Sequence, residues 1–306
     1  MNPKIVFMGS PKFALPTFKM LAAKYNLVGA VTQPDKPAGR GQKLTPPPVK
    51  ELALQLGIPM IQPNRLKEPA AMDQLIAWQP DLIVVAAFGQ ILRQSVLDLP
   101  VLGCINVHAS LLPRWRGAAP IQAAILNGDR ETGITIMKMD AGVDTGSIFA
   151  QKAIPVLSDD TSESLSEKLA ELGADLLDQT LQDYIAGRIV PHLQDESLAT
   201  KAPMIKKEDG LLDFNLPAEI SERKIRAFNP WPGAYFNWQN TLIKVLEAHI
   251  VPGVEAMPGQ SGTVGRYPGV GTGNGWLVLD MVQPAGKKPM AGDVFLRGAR
   301  QWGEKV

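Results

Sequence analysis

The sequence predicts an α/β protein, a doubly wound, mostly parallel sheet followed by a small antiparallel β-barrel. Three observations carry this. The first half alternates short apolar runs with amphipathic stretches, the beat of strands and helices taken in turn. Two of those runs, Asp81 to Ala87 and Gly103 to His108, have the character of strands covered by helices on both faces. Beyond Gly187 the helical periodicity lapses, and the remainder alternates β-prone runs with Gly and Pro turns, as a small barrel does.

Taken in order, Lys4 to Gly9 is expected as a strand, Lys12 to Tyr25 as a helix, Leu27 to Thr32 as a strand and Val49 to Leu56 as a helix. Gln33 to Pro48 is too long and too rich in Pro and Gly for a tight connection, so it reads as an exposed, mobile loop carrying Lys36, Arg40 and Lys43. Apolar runs from Ile134 to Met139 and from Ile148 to Ile154 flank what a hairpin loop would explain. Leu165, Leu169, Leu172, Leu176 and Leu181 recur at helical intervals within Asp160 to Ile185, and Asp160 with Glu163 has capping-box spacing. One long helix is expected there. Leu242 to Leu246, Ser261 to Val264 and Trp276 to Leu279 are expected barrel strands, and the Gly-rich run 269–275 a flexible barrel loop. The resulting division is 1–189 as the first domain, 190–207 as a linker and 208–306 as the barrel.

Two domains suit 306 residues, which exceed the span of one ordinary core. Hydrophobic content of 45% and charged content of 20% exclude disordered and fibrous classes. A net charge of +1 leaves any polyanion contact to local patches. No apolar stretch reaches the roughly 18 residues of a membrane span, and the start reads as a strand rather than a targeting signal, so a cytoplasmic protein is expected. Cys104 is the single cysteine, which excludes an internal disulfide and a thiolate metal cluster. The three histidines, His108, His192 and His249, do not pair at ligand spacing, so no metal is expected. Gly9-Ser10-Pro11 lacks the further glycines of a dinucleotide fingerprint and the lysine of a phosphate loop.

Ligands of doubly wound sheets bind at the carboxyl ends of strands, which directs attention to the segments after Phe88 and Val107. Asn106 and His108 are two apart in a strand, so an amide and an imidazole share one face. A lone histidine beside an apolar run is more commonly a satisfied core residue; the neighbouring asparagine shifts that balance. The second cluster, Met139 to Ser147, holds Asp140, Gly142, Asp144 and Gly146. Aspartates and glycines are ordinary turn residues, yet two carboxylates after a strand end also suit orienting a histidine or gripping a polar heterocycle.

Asn106-x-His108-x-Ser110-Leu111-Leu112-Pro113-x-x-x-Gly117, followed by Asp140-x-Gly142-x-Asp144-x-Gly146, resembles the formyltetrahydrofolate-dependent formyltransferases. Further blocks match the branch of that family that acts on tRNA: Phe7-Met8-Gly9-Ser10-Pro11, Gln33 to Gly41, Arg114 to Gln122, Lys206-x-Glu208-Asp209-Gly210 and Arg226 to Ala234. Ser10 and Lys12 depart from that pattern, where threonine and an acidic residue are more usual. The resemblance implies a formyltransferase-fold catalytic domain and a barrel of the oligonucleotide-binding type. It implies transfer of the formyl group of 10-formyltetrahydrofolate, a co-substrate, to the α-amine of initiator methionyl-tRNA for translation initiation. Carried over by position, Asn106, His108 and Asp144 are the catalytic trio, and Ser110, Leu111, Leu112 and Pro113 are a folate-contacting loop. Phe88, Gly89, Gln90, Ile91 and Leu92, with Asp140, would wall the pterin pocket. Arg40, Lys36, Lys43, Lys206 and Lys207 are the expected tRNA contacts, with Arg223, Lys224, Lys287 and Lys288 as further basic candidates, and a monomer is expected. A hydrolase directing water at the formyl group, a non-catalytic RNA-binding protein, and a formyltransferase acting on a nucleotide sugar or purine precursor remain as alternatives.

Overall fold

The apolar runs become strands in the computed structural model, which describes residues 2–38, 43–253 and 255–303. In chain order, β1 (Lys4–Gly9) leads through a 3-10 turn (Lys12–Ala14) into α1 (Leu15–Lys24) and β2 (Asn26–Val31). There follow β3 (Lys36–Ala38), β4 (Lys43–Thr45), α2 (Pro48–Gln55), β5 (Met60–Ile61), α3 (Pro69–Trp78), β6 (Leu82–Ala86), α4 (Gln94–Leu97), β7 (Cys104–His108) and β8 (Arg116–Gly117). Next come α5 (Pro120–Asn127), β9 (Glu131–Lys138), β10 (Ile148–Pro155), α6 (Ser162–Ile185), β11 (Lys201–Ala202) and α7 (Ala218–Ala227). The chain closes with β12 (Ala234–Trp238), β13 (Thr241–Val251), β14 (Ser261–Val264), β15 (Tyr267–Gly271), β16 (Trp276–Pro284), β17 (Met290–Ala291) and α8 (Gly292–Gly298).

Two compact units result, one formed by the chain up to Pro120 with Glu131–Pro155 and Ser166–Pro203, the other by Ile121–Arg130, Val156–Leu165 and the chain from Met204 on. In the first, a seven-stranded sheet has the order β10-β9-β7-β6-β1-β2-β5. The five strands from β7 to β5 run parallel, while β9 is antiparallel to both β7 and β10. Every residue of β6 and β7 is buried, which explains their apolar character: helices cover both faces. Val6, Met8, Val31, Ile83 and Val85 pack with Leu75 and Val96 in one cluster, each such side chain contributing about 1.5–3 kcal/mol by leaving water. α2 and α3 open on Pro48 and Pro69, where a fixed φ favours the first turn and no amide hydrogen is missed. The chain begins at the sheet's centre, builds outward to β5 and returns to β6, so the direction of winding reverses between β1 and β6. That reversal is where such sheets open a crevice.

The second unit carries a six-stranded antiparallel sheet, β12-β13-β16-β15-β14 with β17 paired to β16. Ile243, Val245, Leu277, Leu279 and Val282 pack with Ile225 of α7 and Phe295 of α8. Trp302 meets Phe295 edge-on at 5.3 Å and Phe236 at 6.2 Å, a geometry aromatic quadrupoles favour.

Several expectations change. The stretch from Gln33 to Pro48 is not a structureless loop, because β3 and β4 pair antiparallel, Lys36 opposite Thr45 and Ala38 opposite Lys43. Arg40 lies outside the described residues. Gly269 to Gly271 belong to β15 and pair with Val278 to Trp276, so the Gly-rich run is half strand. The long helix begins at Ser162, and its reciprocal cap is made by Thr161 and Ser164: Ser164 N donates to Thr161 Oγ1 and Thr161 N to Ser164 Oγ. Asp160 instead accepts from Leu157 N and Ser164 Oγ. The division along the chain also interleaves. Segments 121–130 and 156–165 join the second unit because Val156 N donates to Arg130 O, Ser162 Oγ to Asn229 O at 2.6 Å, and Arg226 Nη1 to Asp160 O at 3.0 Å. The stretch read as a linker carries β11 and a bridge from His192 to Ile148. Among the described residues no helix is long and apolar enough to cross a membrane.

Candidate active site

β6 and β7 pair in parallel with Val85 beside Asn106, and β9 runs antiparallel on the far side with Met137 beside Asn106 and Thr135 beside His108. Period-two alternation then puts Asn106 and His108 on one face, both buried. The β9–β10 connection brings Asp144 over them. Asp144 Oδ2 is 3.6 Å from His108 Nδ1, and Asp144 Oδ1 accepts from Asn106 Nδ2 at 3.4 Å. The same carboxylate takes a firm bond from Gly117 N at 2.8 Å. Strand spacing and the second loop therefore bring together all three members of the expected trio.

His108 Nε2 lies 3.0 Å from the Trp115 carbonyl. A carbonyl only accepts, so Nε2 carries the proton and Nδ1 is the nitrogen that faces Asp144. The tautomer is set by a main-chain oxygen seven residues on, which no side-chain motif reveals. Ala87, Trp115 and Asp144 all adopt positive φ, 48°, 64° and 54°. Non-glycine residues rarely sit there, and such strain gathers where a chain must aim groups at a ligand.

The remaining expected folate residues line the same edges. Phe88 and Leu92 are buried, while Ile91 is 76% exposed. Gln90 is spent on framework, accepting from Leu66 N and donating to Pro63 O. Gln33 Nε2 donates to Phe88 O, and Gln33 N to Ser10 Oγ, linking the ends of β1, β2 and β6; neither side chain is among the site residues expected from the sequence. Ser110 is wholly buried and donates to Arg114 O at 2.6 Å, so it shapes the loop through Leu111, Leu112 and Pro113. Asp140 is exposed and accepts from Gly142 N and Thr145 Oγ1. A cleft of about 290 Å³ opens beside Gln90 and Ile91, with Arg65, Lys67 and Arg93 on its walls. Those three cations sit in unremarkable sequence and went unmarked.

The expected tRNA contacts are less concentrated. Lys36 and Lys43 are exposed on the β3–β4 ribbon, and Lys206 and Lys207 are exposed at a 3-10 turn. Lys224 is turned inward: its ammonium donates to Leu211 O, and burial lowers its pKa. The Arg223 guanidinium lies against Gly128. Burial pushes the Cys104 thiol up to about 12, with Asp98 adding to the shift. No three His, Cys, Asp or Glu side chains gather as metal ligands among the described residues.

Comparison with known proteins bears on this arrangement. Residues 4–181 match the model of the formyl transferase family, and 204–300 match its C-terminal domain. A methionyl-tRNA formyltransferase of Geobacter sulfurreducens is 47% identical, covering 97% of this chain and 94% of that protein. One from Roseiflexus castenholzii is 46% identical over 99% and 98%. Among solved structures, an N-formyltransferase from Helicobacter canadensis in complex with folinic acid and dTDP-3-aminofucose superposes with a TM-score of 0.67 at 17% identity, covering 90% of this chain and 98% of its own. HypX from Aquifex aeolicus in complex with tetrahydrofolic acid gives 0.65 at 15% identity, covering all of this chain and 49% of its own. These two share the fold. With the family model spanning the residues that build the site, and full-length relatives near half identity, the chain belongs to the formyl transferase family, as one of its methionyl-tRNA formyltransferases.

Proposed function

We propose that this chain moves the formyl group of 10-formyltetrahydrofolate onto the α-amine of initiator methionyl-tRNA, giving N-formylmethionyl-tRNA, with Asn106, His108 and Asp144 as the catalytic residues. The convergence of an amide, an imidazole and a carboxylate at the carboxyl end of β7, where the β9–β10 connection brings in Asp144, carries this reading. An α-amine has a pKa of about 8, so a neutral fraction is present near pH 7 and the nucleophile needs only orientation and removal of its proton. Attack on the formyl carbon places negative charge on the formyl oxygen. Asn106 Nδ2, whose bond to Asp144 is long, is the donor freest to meet that charge. His108 accepts the amine's proton at Nδ1, since Nε2 is committed to Trp115 O, and Asp144 stabilises the resulting imidazolium; collapse of the oxyanion then breaks the bond from the formyl carbon to N10, which takes that proton and leaves as tetrahydrofolate. Asn106→Ala should lower kcat about 100- to 1,000-fold with the fold intact.

The Phe88–Leu92 segment, Asp140 and the Ser110–Pro113 loop are read as the folate contacts. The cleft beside Gln90 and Ile91 supports this, because Arg65, Lys67 and Arg93 match the carboxylates of a folate's glutamate tail. Arg40, Lys36, Lys43, Lys206 and Lys207 are read as phosphate contacts to tRNA. The same reading takes the chain as a monomer in the cytoplasm. The test offers the enzyme 10-formyltetrahydrofolate with methionyl-tRNA, with glycinamide ribonucleotide, or with water alone. Formylation of the tRNA only is expected; release of formate, or formylation of the ribonucleotide at a comparable rate, would overturn it.

A further inference from the structure

We infer that Gln194 is a positioning residue for formyl transfer, acting through Asp144. The inference rests on the function proposed above. Gln194 lies beyond α6, some fifty residues from the catalytic loop, yet its amide Nε2 donates to the main-chain oxygens of Asp144 at 2.9 Å and Gly146 at 2.8 Å. Its Oε1 accepts from Arg116 Nε at 3.0 Å and Nη2 at 2.8 Å. All four hydrogen-bonding positions of the amide are used. The reverse orientation would set oxygen against carbonyl oxygens and N–H against a guanidinium, so the chemistry permits only this one.

Arg116 is itself buried, and its outer edge is gripped by Glu196 through two bonds, 2.8 Å at Nη1 and 2.7 Å at Nη2. Glu196 is exposed, so the chain of contacts runs from the surface through Arg116 and Gln194 to the catalytic loop. Arg116 also connects to the other side of Asp144, because the next amide, Gly117 N, holds the Asp144 carboxylate. One network therefore fixes both the backbone of Asp144 and its side chain.

Asp144 needs such support because its φ of 54° is one a non-glycine residue leaves when it can. Room for adjustment is small. A Cβ at Gly146 would run into Lys138 O, and one at Gly117 would come within 2.5 Å of Ala202 O. Without the two Gln194 donors, the Asp144 carbonyl is drawn toward water and the carboxylate shifts from His108 Nδ1. A displacement near 1 Å costs up to about 100-fold in rate.

The test compares single-turnover formyl transfer to methionyl-tRNA by wild type, Gln194→Met and Gln194→Glu. Gln194→Met keeps the length and removes every polar contact. Gln194→Glu preserves an acceptor for Arg116, and with it the seating of the segment, while replacing both donors. Each should lower kcat about 10- to 100-fold and leave both KM values within about threefold. Partial unfolding would mimic that result, so both changes are repeated in an Asp144→Asn background. There a residue acting through the carboxylate costs little more, within about twofold, because effects within one unit are not additive. The His108 ring nitrogen resonances should also move in the single variants. Multiplied losses in the Asp144→Asn background, wild-type kcat in either variant, or unmoved His108 resonances would overturn the inference. Failure of wild type itself to formylate the tRNA would instead overturn the function it rests on.

Discussion

At the scale of single residues, the site's character comes from groups placed under constraint. His108 Nε2 answers to the Trp115 carbonyl, Asp144 is held at positive φ by Gly117 N and Gln194, and Asn106 is left with one long bond. Cys104 is the contrasting case. It lies at the start of β7, two residues from Asn106, but its thiol points into the cluster of Val96 and Ile83 and hydrogen-bonds Val96 O at 3.8 Å. With its pKa pushed up to about 12, almost no thiolate exists at neutral pH. Native enzyme at pH 8 should therefore react with an aromatic disulfide reagent at least about 100 times more slowly than denatured enzyme. Stoichiometric labelling within seconds of mixing would contradict the burial. The burial of Cys104 follows from its place in the apolar run Gly103 to His108, because a strand inside a doubly wound sheet has no exposed face.

At the scale of elements, the proposed function assigns the β3–β4 ribbon to tRNA and the cleft between Arg65 and Arg93 to folate. The ribbon presents Lys36 and Lys43 to solvent; the cleft sits beside Gln90 and Ile91. Lys36→Ala with Lys43→Ala should raise the tRNA KM and flatten its salt dependence by about two phosphate contacts, leaving the folate KM unmoved. Arg65→Ala and Arg93→Ala should do the reverse. Equal effects on both KM values in either pair would erase the division. The sequence showed the basic character of the first element, because five prolines and two lysines crowd a long connection. It did not show the strand pairing, which depends on Lys36 to Ala38 finding Lys43 to Thr45 across intervening chain. The cleft was invisible, since Arg65 and Lys67 share one turn while Arg93 comes from another, before α4, and their proximity is a product of folding.

For the molecule as a whole, pH-dependent stability follows from groups distributed through both units. Asp35 is lowered by Lys50 and Gln62, Asp178 by Lys24 and Tyr25 against its own burial, Glu196 by Arg116, and Asp213 by Asn215. A carboxylate with a native pKa below its unfolded value of about 4 stabilises above that value and loses the contribution as pH falls through the native one. Burial raises Cys104 and Tyr184, so their contributions are complete below the unfolded values of about 8.5 and 10 and are lost as pH rises beyond them. Tm measured by calorimetry should be level between about pH 5 and 8 and fall on both sides. A maximum below pH 4 would show that these carboxylates are not held as described.

The alternation of apolar runs was enough to specify the strands and helices of the sheet, because burial on two faces leaves a mark on every residue of a strand. Strand spacing likewise placed Asn106 beside His108. What only folding decided is everything that links distant stretches through main-chain atoms: the Trp115 carbonyl on His108, the Gly117 amide and the Gln194 amide on either end of Asp144, and the joining of segments 121–130 and 156–165 to the second unit. Main-chain donors and acceptors are the same in every residue, so a sequence carries no sign of which of them will meet a given side chain.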